Sequence, residues 1–300
     1  MADPRCVRRA WLTLGSAAVD LDNPAGGWFC SSLDLGYPDV RDVVNNHPDR
    51  DGVDDRTAYM GGRVISADIT ALAGAGARID AVAASFAPFM VPSARPTLHY
   101  ILDRPGAAER TFRVRASGYS WPIAGPDQRD INLQWMAADP VARDPNTQTV
   151  IAWAGSGSAG GRIYPLTYNR IYPAGGSAPT LGNIVSYGDA PVRPLLRVYG
   201  PITAAHVALT LADRSMVWYV WLLNSAIIGA GQYVDIDTTR KTVNLMGDPA
   251  QSVVTWLDWT NTRWPVLPVF PGPATLLQVT GTNTSGVTQV QAIWNDGYLT

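Results

Sequence analysis

The stretch that most constrains the fold is Gly229 to Gly247, GAGQYVDIDTTRKTVNLMG. Val234 and Ile236 alternate there with Tyr233, Asp235 and Asp237, and after the polar run Thr238-Thr239-Arg240-Lys241 the alternation resumes at Val243 and Leu245. A period of two sends successive side chains to opposite faces, so the segment predicts a half-buried hairpin with one face in a core and the other in water. No residue in it has the setting of a catalyst. What it constrains is architecture.

The same alternation recurs along the chain. Trp11 to Leu21 reads as a strand or two, closed by the turn cluster Asp22 to Gly27, and Val64 to Ile69 as another strand. One helix is expected: Ile79, Val82, Ala83, Phe86 and Met90 form a single apolar stripe at helical spacing, with Pro88 ending it near Ala87. Thr97 to Asp103 and Glu109 to Ser117 read as a hairpin around Arg104-Pro105-Gly106, and Arg129 to Ala137 as a further strand. Between 141 and 194 Gly, Ser and Pro punctuate short strand-like pieces, Thr149 to Trp153 and Arg162 to Tyr168 among them, and Gly155 to Gly161 is flexible by composition. From Leu195 strands return at close spacing, Ser252 to Leu257 included, as in a sandwich. The charged set agrees. Lys241 is the only lysine and Glu109 the only glutamate, so two good helix formers are almost missing while Thr, Val, Gly, Pro and Asp abound. The fold class expected is mainly β: residues 1–140 as one domain with a single helix, 141–194 as a Gly/Pro-rich connector, and 195–300 as a β-sandwich.

Several function classes recede on the residues alone. With 23 basic against 25 acidic residues there is no field to attract nucleic acid or an anionic membrane. The longest apolar run, Met216 to Leu223, is too short to span a bilayer, and Met1 to Arg9 carries charge with no apolar signal core behind it; a soluble protein made in a cytoplasm is expected. Cys6 and Cys30 allow one bridge without requiring it. Asp49, Asp51, Asp54 and Asp55 loosely imitate a calcium loop but lack the closing Glu, which favours a solvated turn. His47, His99 and His206 have no metal-ligand spacing, no G-x-S-x-G elbow or phosphate loop is present, and Glu109 beside a turn reads as a solvated charge. No cofactor and no metal are expected. Trp256, Trp259 and Trp264 are the residues most open to a sharper role, as sandwich-edge packing for most of them and as an interface or sugar contact for one or two.

Read in order, Tyr199-Gly200-Pro201-Ile202, the Gly-rich approach to Val234-Asp235-Ile236-Asp237, the basic turn Arg240 to Val243, Trp264-Pro265-Val266-Leu267 and Pro271-Gly272 resemble the carboxyl-terminal domain of the distal tail protein family of siphovirus tail components. The usual Pro-Gly-Asn is here Pro271-Gly272-Pro273. Tyr59-Met60-Gly61-Gly62-Arg63-Val64, then a helix, two strands and a strand closing on Asp139-Pro140, are similar to the family's amino-terminal layout.

The resemblance implies a non-enzymatic structural protein of the virion, at the tip of a long non-contractile tail. A β-rich belt domain with one helix would build a closed ring of six copies, decorated outside by a galectin-like β-sandwich. Its partners would be further copies of itself, the tail tube protein, the tail-tip hub and receptor-binding proteins. Arg63 and the loop before it are the expected intersubunit contact, since Arg is favoured at interfaces. Two alternatives stand beside this reading. A carbohydrate-binding sandwich, taking host surface glycans, requires Trp256, Trp259 or Trp264 to be exposed, and a glycan-processing enzyme requires two carboxylates facing each other across a cleft.

Overall fold

A computed structural model describes residues 7–41, 44–46, 53–55, 59–72, 79–120, 128–155, 179–213, 215–269 and 272–299. The expected calcium-loop carboxylates Asp49 and Asp51, His47, Cys6, Pro271 and the run 156–178 lie outside these residues. The chain divides into two compact units, Met1–Pro145 with Tyr298–Thr300, and Asn146–Gly297.

In the first unit the strands β1 (Val7–Leu14), β2 (Ala17–Asp20), β3 (Trp28–Asp34), β4 (Arg63–Leu72), β5 (Thr97–Leu102), β6 (Glu109–Ser120) and β7 (Gln128–Ala137) lie in the order β2-β1-β5-β6-β7-β4-β3. Strand β4 follows the period of two throughout: Ile65, Ala67, Ile69 and Ala71 are buried, and Val64, Asp68 and Leu72 exposed. Its neighbour β7 buries Ile131, Leu133, Trp135 and Ala137 on the same side. The register sets small against large, Ala67 opposite Leu133 and Ala137 opposite Arg63, so the layer closes without overpacking. Strand β6 changes partner along its length. Glu109–Arg113 pairs with β5, Val114–Ser120 with β7, and the register shifts between Ala116 and Gly118, a bulge that turns one sheet surface into the next.

Helix α1 (Ile79–Phe86) runs into a 3₁₀ turn, Ala87–Met90, as Pro88 requires. From the expected stripe Val82, Phe86 and Met90 are buried, and Phe86 meets the ring of Trp28 edge-on at 5.9 Å. The side chains of Ile79 and Ala83 are outside the described set.

The second unit is a sandwich. One sheet has the order β9-β18-β11-β15-β16, from β9 (Gln148–Trp153), β18 (Gln289–Trp294), β11 (Leu195–Tyr199), β15 (Tyr233–Asp237) and β16 (Thr242–Leu245). The other has the order β10-β17-β12-β13, from β10 (Gly182–Ile184), β17 (Thr275–Thr282), β12 (Ile202–Leu211) and β13 (Val217–Trp221), with β14 (Ile227–Ile228) beside β12. Leu196, Val198, Val234, Ile236, Val290 and Ala292 of the first sheet share one core with Val207, Leu209, Val220, Leu277 and Val279 of the second. The hairpin forms as its sequence dictates, Val234 opposite Leu245 and Ile236 opposite Val243. The Asp237 carboxylate accepts from the N–H groups of Thr239 and Arg240 at the turn.

One sequence expectation meets a different outcome. Ser252 to Leu257 is not a strand: Val254–Trp256 is a 3₁₀ turn, tied down by the single bridges Asn244 to Ser252 and Leu222 to Leu257. Val253, Val254 and Trp256 all pack on the core, so the segment has apolar groups on both parities and no wet face to offer a sheet. The Gly/Pro-rich stretch 141–194 carries β8 (Ala142–Arg143), β9 and β10. Strand β9 covers the strand-like piece Thr149 to Trp153 and pairs with β18, and β10 is specified by its distant partner β17.

Because Ile236 is fully buried between the sheets, Ile236→Ala should lower unfolding stability by about 2–5 kcal/mol. Thr239→Ala on the wet turn should change it by less than about 0.5 kcal/mol. Urea denaturation followed by tryptophan fluorescence measures both.

Candidate interaction surfaces

Arg63 begins β4 on the buried parity and is only 1% exposed. Its Nη2 donates to the Leu299 carbonyl at 2.7 Å, and the guanidinium lies 4.9 Å from the centre of the Phe112 ring. Arg110, on β6, stacks over Tyr298 at 3.9 Å. Two buried cations therefore clasp the segment Tyr298–Leu299 within the first unit. Burial pulls the Arg63 pKa below its ordinary value, and the nearby ring faces and carbonyl offset that cost. Arg63, the expected intersubunit contact, thus makes these contacts within its own chain. The parity of β4, which continues the Ile65, Ala67, Ile69 series backwards, places position 63 inside.

The three tryptophans separate. Trp256 and Trp264 are partly buried against the sandwich core, whereas Trp259 is 54% exposed. An Asx turn holds it out: Asp258 accepts from the backbone N–H groups of Thr260 and Asn261 and from Asn261 Nδ2. The Trp259 and Trp264 rings meet at 5.9 Å. Next to this turn, on the outward face of β12 and β13, His206 stacks on Trp221 at 4.1 Å and Tyr219 meets Trp221 edge-on. Desolvation lowers the His206 pKa, against an opposing pull from Asp258.

The outward face of the other sheet is laid out in rows by its register. Trp153, Gln289, Tyr199 and Tyr233 stand opposite one another across four strands, and the next row is Ile151, Gln291, Arg197, Asp235 and Asn244. At the centre Arg197 Nε and Nη2 donate to the two oxygens of Asp235 at 2.6 and 2.8 Å, and the same guanidinium lies 4.5 Å from the Tyr233 ring. That bidentate pairing raises the Arg197 pKa. Asp235 therefore stands on the outer face, as the hairpin pattern requires, but in a closed ion pair rather than free in solvent.

In the first unit the outward face of β1, β5 and β6 carries a polar ladder. Thr13 Oγ1 is 2.9 Å from His99 Nε2, and His99 Nδ1 is 2.7 Å from Glu109 Oε1, with Trp11 stacked on the imidazole at 5.0 Å. Glu109, expected as a solvated charge, is thus a paired one. The order hydroxyl, imidazole, carboxylate is that of a nucleophile relay, but these groups sit at cross-strand positions where such pairs hold register. Asp68 and Asp130 line one surface depression and are both taken up as acceptors, Asp68 from Ser32 at 2.6 Å and Asp130 from Thr70 and Gln128. Cys30 is a free thiol pushed up to about 11, chiefly by burial. Among the described residues no group of three His, Cys, Asp or Glu could hold a metal ion.

No protein-family model and no curated protein matches the sequence. Solved structures do. The crystal structure of the SPP1 Dit (gp 19.1) protein, described as a paradigm of the hub adsorption apparatus in phages infecting Gram-positive bacteria, aligns with TM-score 0.63 and 13% identity over 97% of this chain and 99% of that one. The phage P2 baseplate in its activated conformation with calcium aligns with TM-score 0.48 and 12% identity over 96% of this chain and 98% of that one. At 13% identity the first likeness is one of fold, and the second adds no argument.

Removing the clasp should be costly. Arg63→Ala leaves a hole and strands the Leu299 carbonyl, and should destabilise the first unit by about 2–4 kcal/mol, read by thermal or urea unfolding. A second expectation concerns pH. Because the folded His206 pKa is below its ordinary 6.5, the unfolded chain binds the proton more readily. Stability is then level above that value and falls as pH drops through it. His206→Gln should flatten that part of the stability-against-pH curve.

Proposed function

We propose that this chain is a structural component of a phage tail tip: a hub protein whose copies form a ring, six in number, between the tail tube and the proteins that carry host recognition. The observation that carries the reading is the fold likeness to a phage hub protein over 97% of the chain, which takes in both units rather than a common sandwich alone. The order of the short motifs around Arg63, the hairpin and Trp264 supports it independently. A closed ring requires each copy to present two different, complementary surfaces. The first unit has several exposed apolar side chains to contribute, among them Phe29, Val64 and Leu72. The near balance of charge lowers repulsion between copies. In this reading the protein catalyses no reaction, and the Thr13, His99 and Glu109 ladder is a stabilising cross-strand device.

The test is mass and shape. The purified chain, at tens of micromolar or assembled with tail tube protein, should give particles of six times 32.2 kDa in light scattering and annular images by electron microscopy. A strict monomer under all these conditions, and absence of the chain from purified virions, would sink the proposal.

A further inference from the structure

The outward face of the first sheet of the second unit has no role in the reading above. From the arrangement of its rows we infer that it binds a neutral oligosaccharide, with Trp153 and Tyr199 as stacking groups and Gln291 and the Arg197–Asp235 pair as the hydroxyl-binding groups.

The rings and the polar groups are interleaved in a way a sugar chain demands. Trp153 and Tyr199 are two strands apart in one row, about 10 Å, so an extended chain lying across the strands can set sugar faces on both. In the next row Gln291 is a planar amide that can donate through Nε2 to a sugar hydroxyl, its Oε1 accepting from the Tyr199 hydroxyl at 3.5 Å. Trp153 is 38% and Ile151 41% exposed at the open end of the row. Tyr199, Arg197, Gln289 and Gln291 are partly exposed and none is buried.

Charge and size select the ligand class. Asp235 neutralises Arg197 through two hydrogen bonds, and Asp237 on the same parity is taken up by the N–H groups of its own turn and by Arg240 at 3.8 Å, so the face offers no net charge to a polyanion. Five strands at about 4.8 Å and five residues at about 3.4 Å give a footprint on the order of 400 Å². A stable protein contact needs about 800 Å² from each partner. The face is half of what a second copy would require and ample for a short glycan. The expected site at Trp256, Trp259 and Trp264 lies elsewhere, on the segment beside β13 of the opposite sheet.

The inference concerns the second unit and does not depend on the ring, so the two fail separately. The full-length protein is applied to an array of neutral hexasaccharides of glucose, galactose, mannose, rhamnose and N-acetylglucosamine, and any hit is titrated by calorimetry. At least one should bind saturably, with little dependence on sodium chloride. Trp153→Ala should weaken it about tenfold, and Gln291→Ala should also weaken it. Trp259→Ala should leave it unchanged. Thermal unfolding checks that each variant is folded, and Trp153, at the exposed edge, keeps the test independent of packing at Tyr199. Failure of every sugar on the array overturns the inference, and so does binding that survives both face variants. If instead the wild type self-associates without binding sugar and Trp153→Ala abolishes that association, the face belongs to a second copy.

Discussion

Burial of one parity of side chains fixes nearly everything else about the second unit. Once Leu196, Val198, Val234, Ile236, Val290 and Ala292 are committed to the core, the intervening residues have no choice of side, because faces alternate along these strands, which pair without a bulge. Arg197, Tyr199, Tyr233, Asp235, Gln289 and Gln291 are outward for that reason alone. Each fully buried aliphatic chain contributes roughly 1.5–3 kcal/mol relative to exposure. A slip of one residue in β11 or β15 would turn its whole apolar set to water, so the rows on the outer face are held in register by the energy of the inner one.

The first unit obeys the same rule with one addition. Its β6 is shared between two sets of partners, β5 up to Arg113 and β7 from Val114, with a register shift between Ala116 and Gly118 inside the second pairing. The rule also accounts for Arg63. Parity puts a cation where the core would take an aliphatic chain, and the structure answers with Ala137 opposite it, Phe112 beneath it and the Leu299 carbonyl at its tip. A buried guanidinium without those three would be far more costly than the alanine that could replace it.

What could be read from the residues follows from this. The hairpin at 229–247, the turn at Arg104 to Gly106 and the helix ended by Pro88 are local: spacing and turn chemistry contain the answer, and the structure returns them. Within 141–194, Thr149–Trp153 reads as strand-like from its own residues, while Gly182–Ile184 is specified by a partner far along the chain, and within 252–257 Val254–Trp256 is a 3₁₀ turn because apolar groups on both parities leave it no wet face. The candidate surfaces were legible only in part. Trp259 stands out in the sequence as a cluster member and is exposed in the fold. Trp153, Tyr199 and Gln291 come from three separate strands and meet only through register, so no spacing in the sequence could join them. The alternation in Leu195–Tyr199 and Gln289–Trp294 would have marked each as outward, and nothing more.

The near absence of lysine and glutamate bears on the surfaces in the same way. Long flexible charged chains lose rotamer entropy when a partner covers them, and they are depleted at contacts for that reason. Here the outward rows are built from Trp, Tyr, Gln, Asn and an Arg already pinned by Asp235, groups with little freedom left to lose. The immobilisation that ordinarily opposes binding is largely spent during folding, because the register and the ion pair that make the sheet also fix the side chains standing on it. On the outward face of the first sheet a short, uncharged ligand would meet rings and an ion pair already fixed in place.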